Sequence, residues 1–307
     1  MTEDRLATFE AQRTHLIGIA YRMLGEMSAA EDVAQEAWLR WRRVEDEDIR
    51  DPRAWLSAVT VRLSLDALRK ARARRESYVG PWLPEPITPD DTRALAADAP
   101  AARAELASDL SLALLHVLER LSPEERAALI LHDAFDCDYA TIAQALEKNE
   151  AACRKLVSRA RERVKQNRPR FEVSSDQHQD LLMRFAYASA AKNETQLLAL
   201  LAPDAIAYTD GGGKVAAALN PIYGADKITR FILGLARKFY SDSELASTMV
   251  EINGRPGLLL QTGGQFFGAI TIETDGERVT ALYVVRNPDK LTRIAPTSLS
   301  RGSSPSA

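Results

Sequence analysis

The chain has 307 residues, 46% of them hydrophobic, and a formal net charge of −3. That length and apolar content suit two or three separately cored domains, and a slightly acidic total excludes a general polyelectrolyte binder. No apolar run approaches the roughly 18 residues of a membrane span, and the opening MTEDRLATFE lacks signal-peptide character, so a cytoplasmic location without membrane contact is expected. The two cysteines, Cys137 and Cys153, fall in predicted helices without a CxxC pair or matching histidines; neither a disulfide nor a zinc site is supported, and no cofactor is expected.

Leu6, Phe9, Ile17, Ala20, Tyr21 and Leu24 mark a first amphipathic helix, interrupted at Gly25-Glu26. Ser28 is placed as the N-cap of a second helix, with Glu31 completing a capping box. That helix, SAAEDVAQEAWLRWRR, sets an acidic-polar face (Glu31, Asp32, Gln35, Glu36) beside an apolar one (Val33, Ala37, Trp38, Trp41). At least one of the two tryptophans is expected in the core. After the charged loop VEDEDIRD, Pro52 suits the first turn of a third helix. There Trp55, Leu56, Val59 and Leu63 recur at packing spacing, which puts Trp55 in the core. The helix ends in the basic run RKARARR.

Residues 77–107 hold four prolines between Pro81 and Pro89 and are expected to be extended rather than folded. About 30 residues span up to roughly 100 Å. Trp82 and Leu83 are out of place in a solvated linker and predict docking onto another surface. The next helix, SPEERAALILHD, opens with Ser122 as N-cap, Pro123 at its first position and Glu125 as capping-box partner.

The segment from Tyr139 to Val164 forms two short helices broken at Lys148-Asn149, with Asn149 as the second N-cap. Cys153, Leu156, Val157, Ala160 and Val164 make an apolar stripe. Arg154, Lys155, Ser158, Arg159 and Arg161 occupy the other face. This is the layout of a helix-turn-helix, whose second helix can enter a DNA major groove; an antiparallel helix pair with a solvated basic face is the alternative. The charge distribution favours DNA. Residues 50–75 and 149–170 each carry eight Lys/Arg against two acids, while 85–125 hold nine acids against three arginines. Two clustered basic blocks suit two phosphate-contacting modules.

AEDVAQEAWLRWRR, DPRAWLSAVTVRLSLDALRKARARR and the helix-turn-helix together resemble, across about 165 residues, an extracytoplasmic-function (ECF) sigma factor. These are sigma-70-type initiation subunits that keep only sigma regions 2 and 4. The resemblance implies that Glu31, Asp32, Gln35, Glu36, Trp38 and Leu39 bind core RNA polymerase at the β′ clamp helices, with β as a further partner. It implies that promoter DNA is held at the −10 element by Arg53, Arg62, Arg69, Lys70 and Arg72. The −35 element falls to Arg154, Lys155, Ser158, Arg159 and Arg161. Promoter elements some 16 base pairs apart lie about 55 Å from one another, within the linker's reach.

Beyond Arg170, two helical segments (Asp176–Ala191, Glu194–Leu201) give way to the strands DAIAY, KVAAAL, LASTMVEI, GLLLQT, QFFGAITIET and RVTALYVV, with the helix ADKITRFILGLARKF among them. This α+β order suggests a curved sheet wrapping helices, and it resembles the SnoaL-like cone carried by a minority class of ECF sigma factors. Three motifs of that class are present: Trp82-Leu83-Pro84-Glu85-Pro86, Asp210-Gly211-Gly212-Gly213-Lys214 in a first hairpin, and Asn287-Pro288-Asp289-Lys290.

The expected architecture is therefore multidomain: all-α region 2 (1–76), linker (77–107), all-α helix-turn-helix region 4 (108–170), the cone (171–291) and a disordered tail (292–307). The resemblance implies that the cone restrains and supports activity through these motifs, so that no separate anti-sigma factor is required. DGGGK lacks phosphate-loop spacing, and nucleotide binding is not expected. An acid-base pocket around Tyr208, Asp210, Tyr223 or Tyr283 is conceivable on this fold, but fold analogy is a weak warrant for chemistry, and His178 has no obvious partner; no enzyme activity is expected. The alternative is a helix-turn-helix regulator whose cone senses a ligand or is a vestigial isomerase.

Overall fold

The computed structural model describes residues 2–44, 49, 51–75, 77–97, 109–167, 173–239 and 245–294. It divides into two compact units: Met1–Ser77 with Asp90–Arg168, and Tyr78–Pro89 with Pro169–Ala307. The chain thus leaves the first unit after Ser77, contributes twelve residues to the second, and returns at Asp90.

In the first unit, α1 (Thr2–Leu24), α2 (Met27–Trp41) and α3 (Pro52–Arg75) pack on one another. Leu16, Ile19, Tyr21, Met23, Leu56 and Val61 are fully buried between them. The Asp51 carboxylate accepts the Ala54 N–H (3.1 Å) and caps α3, with Pro52 at the first position as expected. The expected Ser28 cap is not formed: α2 starts at Met27 with Glu26 as N-cap and no side-chain capping bond. The helix begins as soon as the chain turns at Gly25, which leaves Ser28 exposed inside the first turn.

The extended reading of the linker fits residues 78–88 but not α4 (Pro89–Ala97), where Pro89 opens a helix with Asp90 and Asp91 favourably placed in its first turn. Then come α5 (Leu112–Leu118) and α6 (Pro123–Leu129), the latter with its Ser122/Glu125 capping box formed. A π-helical turn, Ile130–Ala134, continues α6. Cys137 is not helical as expected; it lies in the irregular stretch before α7 (Tyr139–Leu146), which Asp138 caps. Glu147 ends α7 in a left-handed conformation, and Asn149 caps α8 (Glu150–Asn167) by accepting the Ala152 N–H (2.8 Å). Ile142, Ala145, Cys153, Val157 and Ala160 bury the contact between α7 and α8.

The second unit is an α+β cone. Helices α9 (Ser175–Ala190), α10 (Glu194–Leu200) and α11 (Ala225–Phe239) pack with a six-stranded sheet of order β2-β1-β6-β5-β4-β3. The strands are β1 (Leu201–Asp210), β2 (Ile222–Tyr223), β3 (Leu245–Ile252), β4 (Arg255–Thr262), β5 (Gln265–Thr274) and β6 (Val279–Val285). Pairing is antiparallel except β1 with β6. Leu182, Phe185, Leu197, Ala205, Ile228 and Ile272 form its core. Asn253-Gly254, both at positive φ, make the two-residue turn between β3 and β4.

The segment KVAAAL is not a strand. After Asp210 the chain turns at the glycines, and its carbonyls are taken by side chains: Arg286 donates to Ala216 O (2.6 Å) and Thr209 to Ala218 O (3.3 Å). Return pairing is thereby postponed to β2. A last short helix, α12 (Pro288–Leu291), follows β6. The region expected to be a disordered tail lies outside the described residues from 295 onward.

Candidate functional site

Among the α2 residues, Asp32 and Gln35 are exposed and Glu31, Glu36, Trp38 and Leu39 are partly exposed. Glu36 pairs with Arg40 one turn on (3.1 Å). Trp38 packs on Phe9, and buried Trp41 packs on half-buried Trp55, so the tryptophans divide between core and edge. An acidic, solvent-facing ridge with an aromatic at its border results, the composition of a protein contact surface.

On α3, Arg53, Arg69 and Lys70 are exposed, with Arg69 paired to Asp66 (3.2 Å). The Arg72 side chain lies outside the described residues. Arg62 differs. Its guanidinium donates to the carbonyls of Gln144 (3.0 Å) and Ala145 (3.4 Å) at the C-terminal end of α7, where a cation is favoured by the helix dipole. Arg126 Nε likewise donates to Arg22 O (2.8 Å), and Phe135 packs against both the His15 ring and the Arg22 guanidinium. The expected −10 and −35 modules therefore share contacts within one compact unit. His15 is held neutral, its pKa pushed down to about 4 by burial and then by Arg53 and Arg22.

Helix α8 presents Lys155 and Ser158 to solvent. Arg154 donates to Glu150 (2.7 Å) and lies over the Tyr139 ring. Arg159 stands 3.9 Å from Glu125. Arg161 is engaged: it makes a bidentate pair with Asp133 (2.9 and 2.5 Å). Sequence reasoning missed Asp133, which comes from a different helix 28 residues away.

The three cone motifs converge. Asp210 is fully buried at the end of β1, and its carboxylate accepts four hydrogen bonds. Oδ1 takes the Tyr78 hydroxyl (2.5 Å) and the Gly212 N–H (3.0 Å); Oδ2 takes the Leu83 N–H (2.9 Å) and the Lys290 ammonium (2.7 Å). Lys290 Nζ also donates to Leu83 O (2.5 Å) and sits 4.0 Å from the Trp82 ring centroid. Asn287 donates to the Tyr78 hydroxyl (3.0 Å), and its backbone N–H to Asp210 O (2.9 Å). Gly212, at φ +61°, leaves room for the Asn287 amide that a Cβ would overlap. At the other end, Ile87 and Asn253 exchange hydrogen bonds (3.0 and 3.3 Å). Leu83 and Ile87 are fully buried.

Lys214 and Asp289 form an exposed pair (2.6 Å), and Gly211 is buried, whereas Gly213 and Pro288 are exposed. Tyr78 and Asn253, neither singled out from sequence, complete this anchor. Asp210 is saturated by these four bonds, Tyr208 stacks on Tyr283 (5.4 Å), and Tyr223 is exposed. His178 is buried neutral, its pKa lowered to about 4 by burial and then Arg255. Among the described residues no group of three or more His, Cys, Asp and Glu could hold a metal, and no helix is long and apolar enough to cross a membrane.

Two family profiles match the chain: sigma-70 region 2 over residues 8–74 and sigma-70 region 4 over residues 111–164. The ECF RNA polymerase sigma factor SigJ of Mycobacterium tuberculosis is 40% identical over 94% of this chain and 93% of its own length. The chain is an ECF sigma factor of the sigma-70 family. The probable ECF sigma factor SigI of the same organism is 31% identical, covering 93% of this chain and 94% of its own. The crystal structure of M. tuberculosis SigJ superposes with a TM-score of 0.71 at 36% identity, covering 94% of this sigma factor and 98% of SigJ. That match carries both the helical sigma regions and the cone, and favours a sigma factor over a free-standing helix-turn-helix regulator.

Proposed function

We propose that this sigma factor docks on core RNA polymerase through Asp32, Gln35 and the edge of Trp38, meets the −10 element through α3 and the −35 element through α8, and is restrained by its own cone. The supporting observation for restraint is the buried Asp210–Lys290 pair closing on the linker backbone at Leu83. A linker pinned at Asp210 and Asn253 is shorter in effective reach than the free chain. The contacts of Arg62 also occupy a cation that promoter DNA would otherwise recruit. Opening of these contacts when polymerase and promoter bind then accounts for activation as a shift between closed and competent forms. The cone acts in cis, and no separate anti-sigma factor is required.

Run-off transcription with purified core polymerase tests this reading, comparing the full chain with a chain ending after Asn287, which lacks Lys290. The shortened chain is expected to transcribe more; equal output from both overturns restraint by the cone. Asp32→Ala with Gln35→Ala should weaken capture of core polymerase while leaving the helical circular-dichroism signal unchanged, because both side chains face solvent. Undiminished capture removes them from the interface.

A further inference from the structure

Three arginines on the C-terminal half of α8 are met by two carboxylates from the elements behind it. Arg159 and Arg163, one turn apart, both approach Glu125: Arg163 Nη1 donates to Oε2 (2.6 Å) and Arg159 Nε lies 3.9 Å from Oε1. Arg161 points to the opposite flank, where Asp133 binds it bidentately. The helix is thus gripped on both sides, which fixes its rotation about its own axis. Glu125 and Asp133 are themselves largely buried, with side-chain exposures of 5% and 15%, whereas the arginines are half exposed or more.

A neutral glutamine would serve the capping box that Glu125 makes with Ser122. The negative charge of Glu125 serves the two arginines and, in the first turn of α6, the helix N-terminus.

We infer that Glu125 and Asp133 are specificity-determining positioning residues, which occupy Arg159, Arg161 and Arg163 and so confine DNA contact to the N-terminal half of α8, at Arg154, Lys155 and Ser158. The inference rests on the reading of α8 as the −35 helix. Its physical basis is counterion release. Every phosphate neutralised by a free cation adds to binding that is blind to sequence, and steepens its salt dependence by about 0.9 in log K against log salt. A guanidinium held by a largely buried carboxylate adds little of this, whereas the pair of Arg154 with the exposed Glu150 stays open to exchange. Bases are read near the start of a recognition helix, so silencing its far half raises discrimination without weakening readout.

The test uses holoenzyme made from core polymerase and the full chain. Two duplexes are compared: one enriched from random-sequence DNA by the wild-type holoenzyme, and the same duplex with its upstream element scrambled. Glu125→Gln and Asp133→Asn should each bind the scrambled duplex more tightly, with a slope steeper by about 1 per guanidinium released. The preference for the enriched duplex should fall several-fold. The double variant Asp133→Asn/Arg161→Gln should return to the wild-type slope, which a merely loosened helix would not do. Unchanged slopes and preference in both single variants overturn the inference, as does a double variant that stays steep. A wild-type holoenzyme that enriches no upstream element overturns instead the assignment of α8 to the −35 site.

Discussion

The arginines of α8 and the lysine of α12 both meet carboxylates, yet the two settings differ in kind. Arg161 and Asp133 pair at a half-wetted surface, with the arginine side chain 50% exposed. Lys290 and Asp210 pair at 7% and 0%. A pair open to water on one side is worth about 0–1 kcal/mol. Removing one partner of a buried pair costs roughly 3–5 kcal/mol, because the other charge is left without water or counter-charge. Helix α8 therefore carries graded contacts, whereas the anchor at Asp210 is nearly all or none.

The largest effect is expected at the anchor. Lys290→Met should strip Asp210 of its counter-charge and loosen residues 78–88 by about 3–5 kcal/mol. Amide exchange at Leu83 and Ile87 should rise accordingly, and transcription with it. The paired variant Asp210→Asn/Lys290→Met should lose much less than the sum of the two singles; additive losses would show that the charges do not act together.

Next in size is a pH effect that separates the two units. In the unfolded chain His15 and His178 protonate near pH 6.5, whereas in the folded chain each protonates only near 4, chiefly because of burial. Between those values the unfolded state binds more protons. Stability present above pH 6.5 is therefore lost as pH falls toward 4, by at most roughly 3 kcal/mol per histidine. Denaturant midpoints at pH 7 and pH 5 check this, with His15→Asn and His178→Asn each flattening the dependence of its own unit.

Arg62→Ala should cost about 1 kcal/mol, the size of partly exposed charge-assisted hydrogen bonds, and should speed amide exchange at the end of α7. Smallest of all, Arg69→Ala should shift stability by under about 0.5 kcal/mol, since its pair with Asp66 is open to water. A larger loss there would blur the contrast drawn between wet and buried pairs.

Legibility in the sequence followed distance along the chain. Pro52 in the first turn of α3, and Ser122 and Asn149 as caps, act within three residues of themselves and form as the sequence suggests. The two basic helices and the aromatic oddity of Trp82 were legible for the same reason: composition and period are local. Ser28 misled because the helix starts one residue earlier, at Met27, so the Ser-x-x-Glu spacing falls inside its first turn instead of capping it. Asp133 and Glu125 could not be matched to their arginines, since partners 28 and 38 residues away depend on how helices pack. Asp210 and Lys290, 80 residues apart, were singled out through motifs, yet nothing local said that they would touch. The Asn253-Gly254 pair is itself a local two-residue-turn signal, legible from the sequence alone.

Strand β1 takes as its parallel neighbour the last strand, β6, and Lys290 follows five residues after it. During synthesis the helix-turn-helix is complete when Asn167 has been added, while the ammonium that saturates Asp210 arrives about 120 residues later, on the order of ten seconds at ordinary elongation rates. A newborn chain therefore passes through an interval in which both sigma regions exist and the anchor cannot. Any chain that terminates before Lys290 keeps Asp210 without its ammonium, so under the proposed restraint translational accuracy near the 3′ end of the message would set a floor of activity that the anchor never reaches.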